Sequence, residues 1–278
     1  PATWYPESRE YCRVLEKLLV QFKKPPVVEA WIEFGFALTQ EDSPWDEDKA
    51  KALITTCFPG YSPESFLKYA EISVDARTGK ADFSNVQELF DRIRAFSGDK
   101  DRCVQARRNV FVFNQLNRTQ WFGYRAMADA ATEAVGQYMQ FRGFNELTHV
   151  SLHYRDVVSI PVPNDEKGIR LPNWFRVYPE VPQEALGTMS AFRFDIQLPE
   201  LCKESDARLS IRSLPLTGQE ETAFKFSIDW HVVSADNKIK EIEAARGWLD
   251  SAHDALRSSF EKAFTPACLQ LFEPLEGD

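Results

Sequence analysis

The sequence predicts an α+β protein in which an antiparallel sheet of about seven strands is covered by long helices. Several segments alternate apolar and polar residues, which is typical of strands with one buried and one solvated face. Two segments, 119–142 and 238–263, instead carry apolar residues every three or four positions, which is typical of amphipathic helices. Each of these helices follows a group of strands. The sequence therefore predicts two similar halves, at about 24–160 and 161–278.

The first strand is predicted to begin at Val27, because every second residue from Val28 to Leu38 is apolar. Segments with the same alternation or with strand-like composition between turns are predicted to form strands over 92–97, 103–107, 110–116, 147–160, 192–198, 207–214 and 224–232. Because the alternation is one-sided, we expect one face of the sheet to be wet.

Residues 6–22 carry apolar side chains at helical spacing and predict an amphipathic helix. We therefore expect an added N-terminal helix over 1–23, followed by a single α+β domain over 24–278.

A second addition is predicted over about 41–90, where an acidic run follows the first strand. Within it, 48–57 favours a short helix, and a further helix is indicated near 86–90. The remainder of this segment shows no clear period, so we interpret the whole as an insertion.

Composition restricts the function classes. The chain of 278 residues has a formal charge of −9, which argues against nucleic acid as the main partner. It contains no apolar run long enough for a transmembrane helix, so no membrane association is expected. The five cysteines, which are odd in number and far apart, suit a reducing compartment. We expect a cytoplasmic protein.

The strongest candidate for chemistry is the HxSxH pattern of His149, Ser151 and His153. These positions face the same way in a strand, so two imidazoles and a hydroxyl could share a metal or a proton. A polar solvent face opposite Val150 and Leu152 is the simpler interpretation, because no carboxylate of the same parity stands in the strand. GxSxG, P-loop and GxGxxG motifs are absent from the sequence. We expect no catalytic residue, no metal and no cofactor, and a protein that is not an enzyme.

Three polar residues are predicted to have structural roles. Glu29 lies on the strand face opposite Ile32, and Asp156 lies near the end of the 147–160 strand. A covered Glu29 would need a basic partner, which Arg155 or an arginine of the 102–108 segment could supply. We expect an ion pair that holds the sheet.

Partner-binding candidates are aromatic residues without an obvious core role and the basic residues near them. The residues assigned to this group are Trp4, Trp45, Trp121, Trp174, Phe175, Arg107 and Arg108.

Three stretches carry a family resemblance. Lys24-Pro25-Pro26-Val27-Val28-Glu29-Ala30 opens the first strand, Leu152-His153-Tyr154-Arg155-Asp156 lies within the strand after the first long helix, and Trp248-Leu249-Asp250-Ser251-Ala252-His253 lies in the last helix. In order over 24–272, these stretches resemble a sporadically distributed family of prokaryotic proteins of unknown function. The chain differs from the family at His153 and Asp156, where a basic residue and an Asn are common.

The resemblance implies an accessory role in prokaryotic antiviral defence, because some relatives are encoded near defence genes, including CRISPR loci. The sequence therefore favours a non-enzymatic interaction or regulatory protein whose partner is another protein, for example a component of a defence complex. One alternative is small-molecule or nucleotide binding in a cavity between the sheet and the C-terminal helix, lined by Phe192, Phe194, Phe226 and Trp230. A cryptic hydrolase or nuclease around His149 and His153 is the second alternative.

Overall fold

A computed structural model describes residues 22–38, 45–74, 81–118, 121–161, 169–178, 192–198, 201–202, 204–215, 223–235 and 238–275, with only the backbone of 64–74 and 81–89. Trp4 and nearly all of the helix expected over 6–22 lie outside these residues. Neither prediction is therefore tested.

The described chain contains one antiparallel sheet, which confirms the predicted α+β class. Its strands are β1 (Val27–Phe36), β2 (Tyr61–Val74), β3 (Ala81–Ser97), β4 (Arg102–Ala106), β5 (Val110–Leu116), β6 (Leu147–Pro161), β7 (Arg193–Gln197), β8 (Ser205–Ser213) and β9 (Ala223–Ser234). They lie in the order β2-β3-β4-β5-β1-β6-β9-β8-β7.

The prediction of about seven strands was wrong, since the described sheet has nine. The difference arises in the 59–90 segment, where β2 and β3 form a long hairpin. The helix expected near 86–90 is part of β3 instead. This stretch pairs with β2, where Leu89 lies opposite Tyr69, so pairing between strands outweighs the weak local preference that indicated a helix.

The two halves meet at the centre of the sheet, where β1 and β6 pair antiparallel and Ala30 lies opposite Tyr154. Outward from β1 come β5, β4, β3 and β2, and outward from β6 come β9, β8 and β7. In each half, the last strand therefore pairs with the first: β5 lies next to β1, and β9 lies next to β6. Apart from the outermost strand β2, which has no counterpart in the second half, the strand order repeats about the β1–β6 pair.

Four α-helices are present in the described ranges: α1 (Glu47–Cys57), α2 (Tyr124–Arg142), α3 (Ile242–Ala263) and α4 (Pro266–Gln270). α2 and α3 begin a few residues later than predicted. Gly123, with φ of 88°, precedes α2 in a conformation that cannot belong to a right-handed helix. At the other end, Gly143 has φ of 76° and its N–H donates to Met139, as expected of a helix C-cap.

The core lies between one face of the sheet and the helices. Ala30, Ile32 and Phe34 of β1 are buried there, α2 packs against β5, and α3 packs against β6 and β9. We call the opposite side the open face. None of the described helices is long and apolar enough to cross a lipid bilayer.

Candidate functional site

The centre of the open face carries a row of rings across three strands. Trp31 of β1 lies opposite His153 of β6, which lies opposite His231 of β9. Directly opposed residues of an antiparallel pair share a face, so the register alone brings the three side chains together. On β8 the next residue in line is Arg208. We call Trp31, His153 and His231 the ring row.

The ring row is a continuous stack. The Trp31 and His153 centroids are 4.5 Å apart with an interplanar angle of 11°, and those of His153 and His231 are 4.0 Å apart at 12°. Ser151 Oγ lies 2.9 Å from Nε2 of His153 and shares a hydrogen bond with it. His153 is therefore held by rings on both faces and by a hydroxyl at its edge.

A second, charged row runs beside the ring row. Nε of Arg155 donates to Asp229 at 2.6 Å, and its Nη1 donates to Glu29 at 3.3 Å. The guanidinium also lies 5.4 Å from the centre of the Trp31 ring, within the range of a cation–π contact. The structure thus brings together the expected pair, Glu29 and Arg155, and adds Asp229 to it.

The ring row, together with Arg155 and Asp229 of the charged row, lines a cavity of about 260 Å³ on the open face. Four arginines line it: Arg155, Arg193, Arg208 and Arg212. Arg193 and Arg208 both donate to Asp195, at 3.2 and 2.8 Å. Hydrogen bonds from Ser210 and these arginines hold the pKa of Asp195 well below its usual range. Arg212 is exposed and forms no ion pair with any described residue.

Burial lowers the pKa of both histidines in the ring row. For His153, the neighbouring His231 and Arg155 add to the effect of burial. For His231, burial outweighs the opposing influence of Glu33. Both imidazoles are consequently neutral near pH 7 and offer hydrogen-bonding edges rather than charge. The cationic character of this cavity comes from the arginines.

His149, the other residue of the HxSxH pattern, points to a different neighbour. Its Nε2 lies 3.4 Å from Glu33, and its ring lies against the backbone of Gly35. Within the described ranges, no group of three or more His, Cys, Asp or Glu side chains is arranged to hold a metal ion.

Asp156, the third predicted polar residue, lies on the covered face. It is 2% exposed, and its Oδ2 accepts a hydrogen bond of 3.0 Å from the Trp230 indole. Its other oxygen, Oδ1, has no hydrogen-bond partner. Burial raises the pKa of Asp156 to about 7, against the opposing effect of the Trp230 hydrogen bond.

The predicted partner-binding aromatics are dispersed. Trp45 lies under the Arg142 guanidinium at 4.8 Å, and Trp121 meets Tyr154 edge-on at 6.3 Å. Trp174 is half-buried. Phe175 is 2% exposed and packs against the buried Phe226 and Phe264, so the expectation that it lacks a core role is wrong.

Arg107 and Arg108 lie at the turn between β4 and β5, where their backbones anchor α2. The Arg107 carbonyl accepts from the hydroxyl of Tyr138 at 2.8 Å, and the Arg108 carbonyl accepts from Arg142 at 3.1 Å. The Arg107 side chain also lies 3.7 Å from Asp91. These contacts describe a turn fixed onto a helix, away from the ring row.

The cavity expected under the C-terminal helix is displaced from its predicted lining. Phe192 packs on Phe194 and on Phe226, with centroids 5.9 and 5.7 Å apart. The cavity found beside α3 shares only Trp230 with the expected set.

The ring row itself was missed by the sequence reasoning. Trp31, His153 and His231 each occupy an outward position of a recognised strand, but their contact depends on which strands are neighbours and in which register. A search for outward aromatic residues at mid-strand would have selected all three.

No family model and no curated protein matches the chain.

Proposed function

We propose that this chain is a non-enzymatic interaction or regulatory protein, and that the cavity beside the ring row binds an acidic segment of a partner protein. The single observation that carries the proposal is the ring stack of Trp31, His153 and His231 beside four arginines, in a chain with a formal charge of −9.

The residue types favour recognition of a protein. Tryptophan and arginine are enriched among the residues that dominate binding energy at protein interfaces. Guanidinium groups form paired hydrogen bonds with carboxylates, so Arg208 and Arg212 suit the side chains of a partner's Asp or Glu. The stacked rings are already ordered, which reduces the entropy lost on binding.

The surroundings of the two histidines support binding over catalysis. Rings cover both faces of His153, and its Nε2 is occupied by Ser151. His149 is paired with Glu33. A hydrolase or nuclease around these histidines remains the second alternative, and our proposal assigns no catalytic role to either.

The wider context of the proposal rests on sequence. We propose a cytoplasmic accessory role in prokaryotic antiviral defence, on the resemblance alone. We also propose that the two halves arose by duplication, which the repeated strand order around the β1–β6 pair supports. The N-terminal segment, with Trp4, belongs to the proposed partner surface as a prediction.

Site-specific photo-cross-linking tests the interaction. A photoreactive residue replaces Arg212 in one variant and Arg176, an exposed residue outside the cavity lining, in the control. In native host cells, we expect position 212 and not 176 to capture one partner protein. That partner is then purified and titrated against the R208E/R212E and R176E variants.

We expect the double charge reversal to weaken binding at least about tenfold, as for removal of charged pairs at an interface, and R176E to leave it unchanged. Deletion of residues 1–21 then measures the share contributed by the N-terminal segment. Equal affinity of the R208E/R212E variant and the unaltered protein would refute the proposal.

A further inference from the structure

Strand β7 forms one edge of the sheet. Among the described residues, it pairs with β8 and with no other strand. An edge strand presents a row of backbone N–H and C=O groups that its own sheet does not use, and these groups can pair with a strand of another chain. The β7 edge is therefore a position at which the sheet can be extended.

The hydrogen bonds to β8 show which backbone groups of β7 point outward. The Ser213 N–H donates to the Phe192 carbonyl at 3.0 Å, and the Leu198 N–H donates to the Ala207 carbonyl at 2.8 Å. Along an antiparallel strand, alternate residues direct both backbone groups to the same side. The even-numbered residues of 192–198 therefore face β8, and the odd-numbered residues direct their N–H and C=O groups to the outer edge.

The side chains along this edge divide between the two faces of the sheet. Arg193, Asp195 and Gln197 are exposed and lie on the open face, because they are opposite Arg212, Ser210 and Arg208 of β8. On the covered face, four apolar side chains pack against the core and remain half-buried: Phe192, Phe194, Ile196 and Leu198. The edge is thus charged on one face and apolar on the other.

We propose that β7 pairs antiparallel with β7 of a second copy of this chain, about a twofold axis at Phe194. In this register, Arg193 of each copy lies opposite Asp195 of the other, and the two Phe194 residues lie opposite each other. Arg193 and Asp195 both direct their backbone groups outward, so each such pair exchanges two backbone hydrogen bonds. The same patch then serves both copies, as a twofold interface requires.

Charge favours this register over its neighbours. If the axis lay at Asp195, two carboxylates would be opposite each other, and if it lay at Arg193, two guanidinium groups would be. Directly opposed like charges destabilise a sheet, whereas opposite charges stabilise it. Within one chain, Nε of Arg193 already lies 3.2 Å from the Asp195 carboxylate. The dimer would gather two such pairs into one group of alternating charge.

The covered face adds apolar contact to the same pairing. With the axis at Phe194, Phe192 of each copy lies opposite Ile196 of the other, so the two half-buried apolar rows meet. Their contact removes apolar surface from water, which favours association. The interface is limited to one strand pair and its side chains, so we expect a dimer that dissociates on dilution.

The pairing also determines where the cavities beside the two ring rows lie. A twofold axis perpendicular to the sheet keeps both open faces on the same side. Because Arg193 lines the cavity, the two cavities flank the axis. A dimer would therefore present two cavities side by side to one partner. The self-association itself does not depend on the proposed function.

Cysteine capture tests the register. In F194C, the two introduced cysteines would lie directly opposite each other, with Cα atoms about 4.5 Å apart, a distance that a disulfide spans. In the matched control I196C, they would be four residues apart along the paired strands, or about 13 Å. Under oxidising conditions, we expect F194C to form a covalent dimer and I196C to match the unaltered protein on non-reducing gels.

Exchange of charges tests the ion pairs. R193D and D195R each place like charges opposite each other, and we expect each to weaken self-association at least about tenfold, since the twofold axis repeats the change. R193D/D195R should restore it. A mixture of the two single variants should form a mixed dimer, although neither chain recovers its internal Arg193–Asp195 pair. R125D, at an exposed position of α2, is the control and should change nothing.

Sedimentation velocity of the full chain at increasing concentration measures the association. A chain that stays monomeric at every concentration would overturn the proposal, and so would equal cross-linking of F194C and I196C. The cysteine test needs neither charge variant, so it remains decisive if one of them fails to fold. A monomeric result leaves the partner surface unaffected, because that surface is tested with R208E/R212E and the captured partner.

Discussion

His153 and His231 stack face to face across the β6–β9 pair, with their ring centroids 4.0 Å apart. Burial lowers the pKa of each imidazole, so both are neutral in the folded protein near pH 7. The unfolded chain binds protons at these residues below about pH 6.5, while the folded chain does not. The contribution of this pair to stability is therefore present above that pH and lost as the pH falls.

Replacing His153 by phenylalanine keeps the stack and removes the titrating group. We expect the free energy of unfolding of the unaltered protein to fall by about 1–2 kcal/mol more than that of H153F between pH 7 and pH 5. Urea denaturation at the two pH values measures this difference. H149Q is the control, and a loss in H153F equal to that of the unaltered protein would contradict the prediction.

Asp156 gives a pH dependence of opposite sign. Burial raises the pKa of Asp156 to about 7. The folded state therefore binds more protons than the unfolded state between about pH 4 and pH 7. Because of this difference, the contribution of Asp156 to the free energy of unfolding declines as the pH rises through that window. The stability of the unaltered protein minus that of D156N should fall by about 2–4 kcal/mol from pH 4 to pH 8. Urea denaturation of both proteins at each pH measures this difference in free energy of unfolding. A difference that does not change with pH would show that Asp156 is ionised in the folded protein over the whole range.

Arg155 separates two carboxylates on the open face. Its removal in R155M leaves Glu29 and Asp229 as unpaired neighbours, with side chains 24% and 25% exposed. Since the guanidinium itself is 37% exposed, solvent screens the pairs and we expect a loss of only about 1 kcal/mol. R155K should recover part of it by keeping the charge.

Thermal or urea unfolding of R155M, R155K and the control R176M tests this prediction. The additional variant E29Q/D229N/R155M removes all three charges and should be more stable than R155M alone. If R155M and the unaltered protein have the same free energy of unfolding, the charged row does not contribute to stability.

Gly35 provides a steric test. A Cβ added there would overlap the imidazole of His149, which packs on this glycine across the β1–β6 pair. We expect G35A to destabilise the fold by about 1–3 kcal/mol, the usual cost of overpacking. H149A should relieve most of this in the double variant. A loss in G35A/H149A as large as in G35A would assign the effect to the backbone.

The sequence was sufficient for those parts of the fold that depend on local pattern. The alternation around Ile32 and around Ile228 predicted strands, and Gly143 predicted the end of α2, because side-chain period and glycine conformation act over a few residues. The 59–90 segment was not predictable in this way. Its strands are specified by pairing between residues far apart in sequence, such as Tyr69 with Leu89, which leaves no local signal.

The candidate sites likewise contain features that local sequence could predict and features that depend on the tertiary structure. The ion pair between Glu29 and Arg155 could be inferred because each residue had an outward place in a recognised strand. The contact of Trp31 with His153 required the β1–β6 register, and the burial of Asp156 required knowledge of which sheet face the helices cover. The exposure of a side chain could not be inferred either: Phe175 was predicted to lie at a partner surface, and it is buried in the core.

Because the two halves are joined mainly by the pairing of β1 with β6, the chain is suited to being split into two fragments. A cut between α2 and β6, at residues 143–146, yields two fragments that each keep a complete group of strands and one long helix. Each fragment would expose the edge of its inner strand, and the complementary edge would lie on the other fragment. Fragment complementation would then restore the sheet, and the same edge would let either fragment alone associate with its own copy.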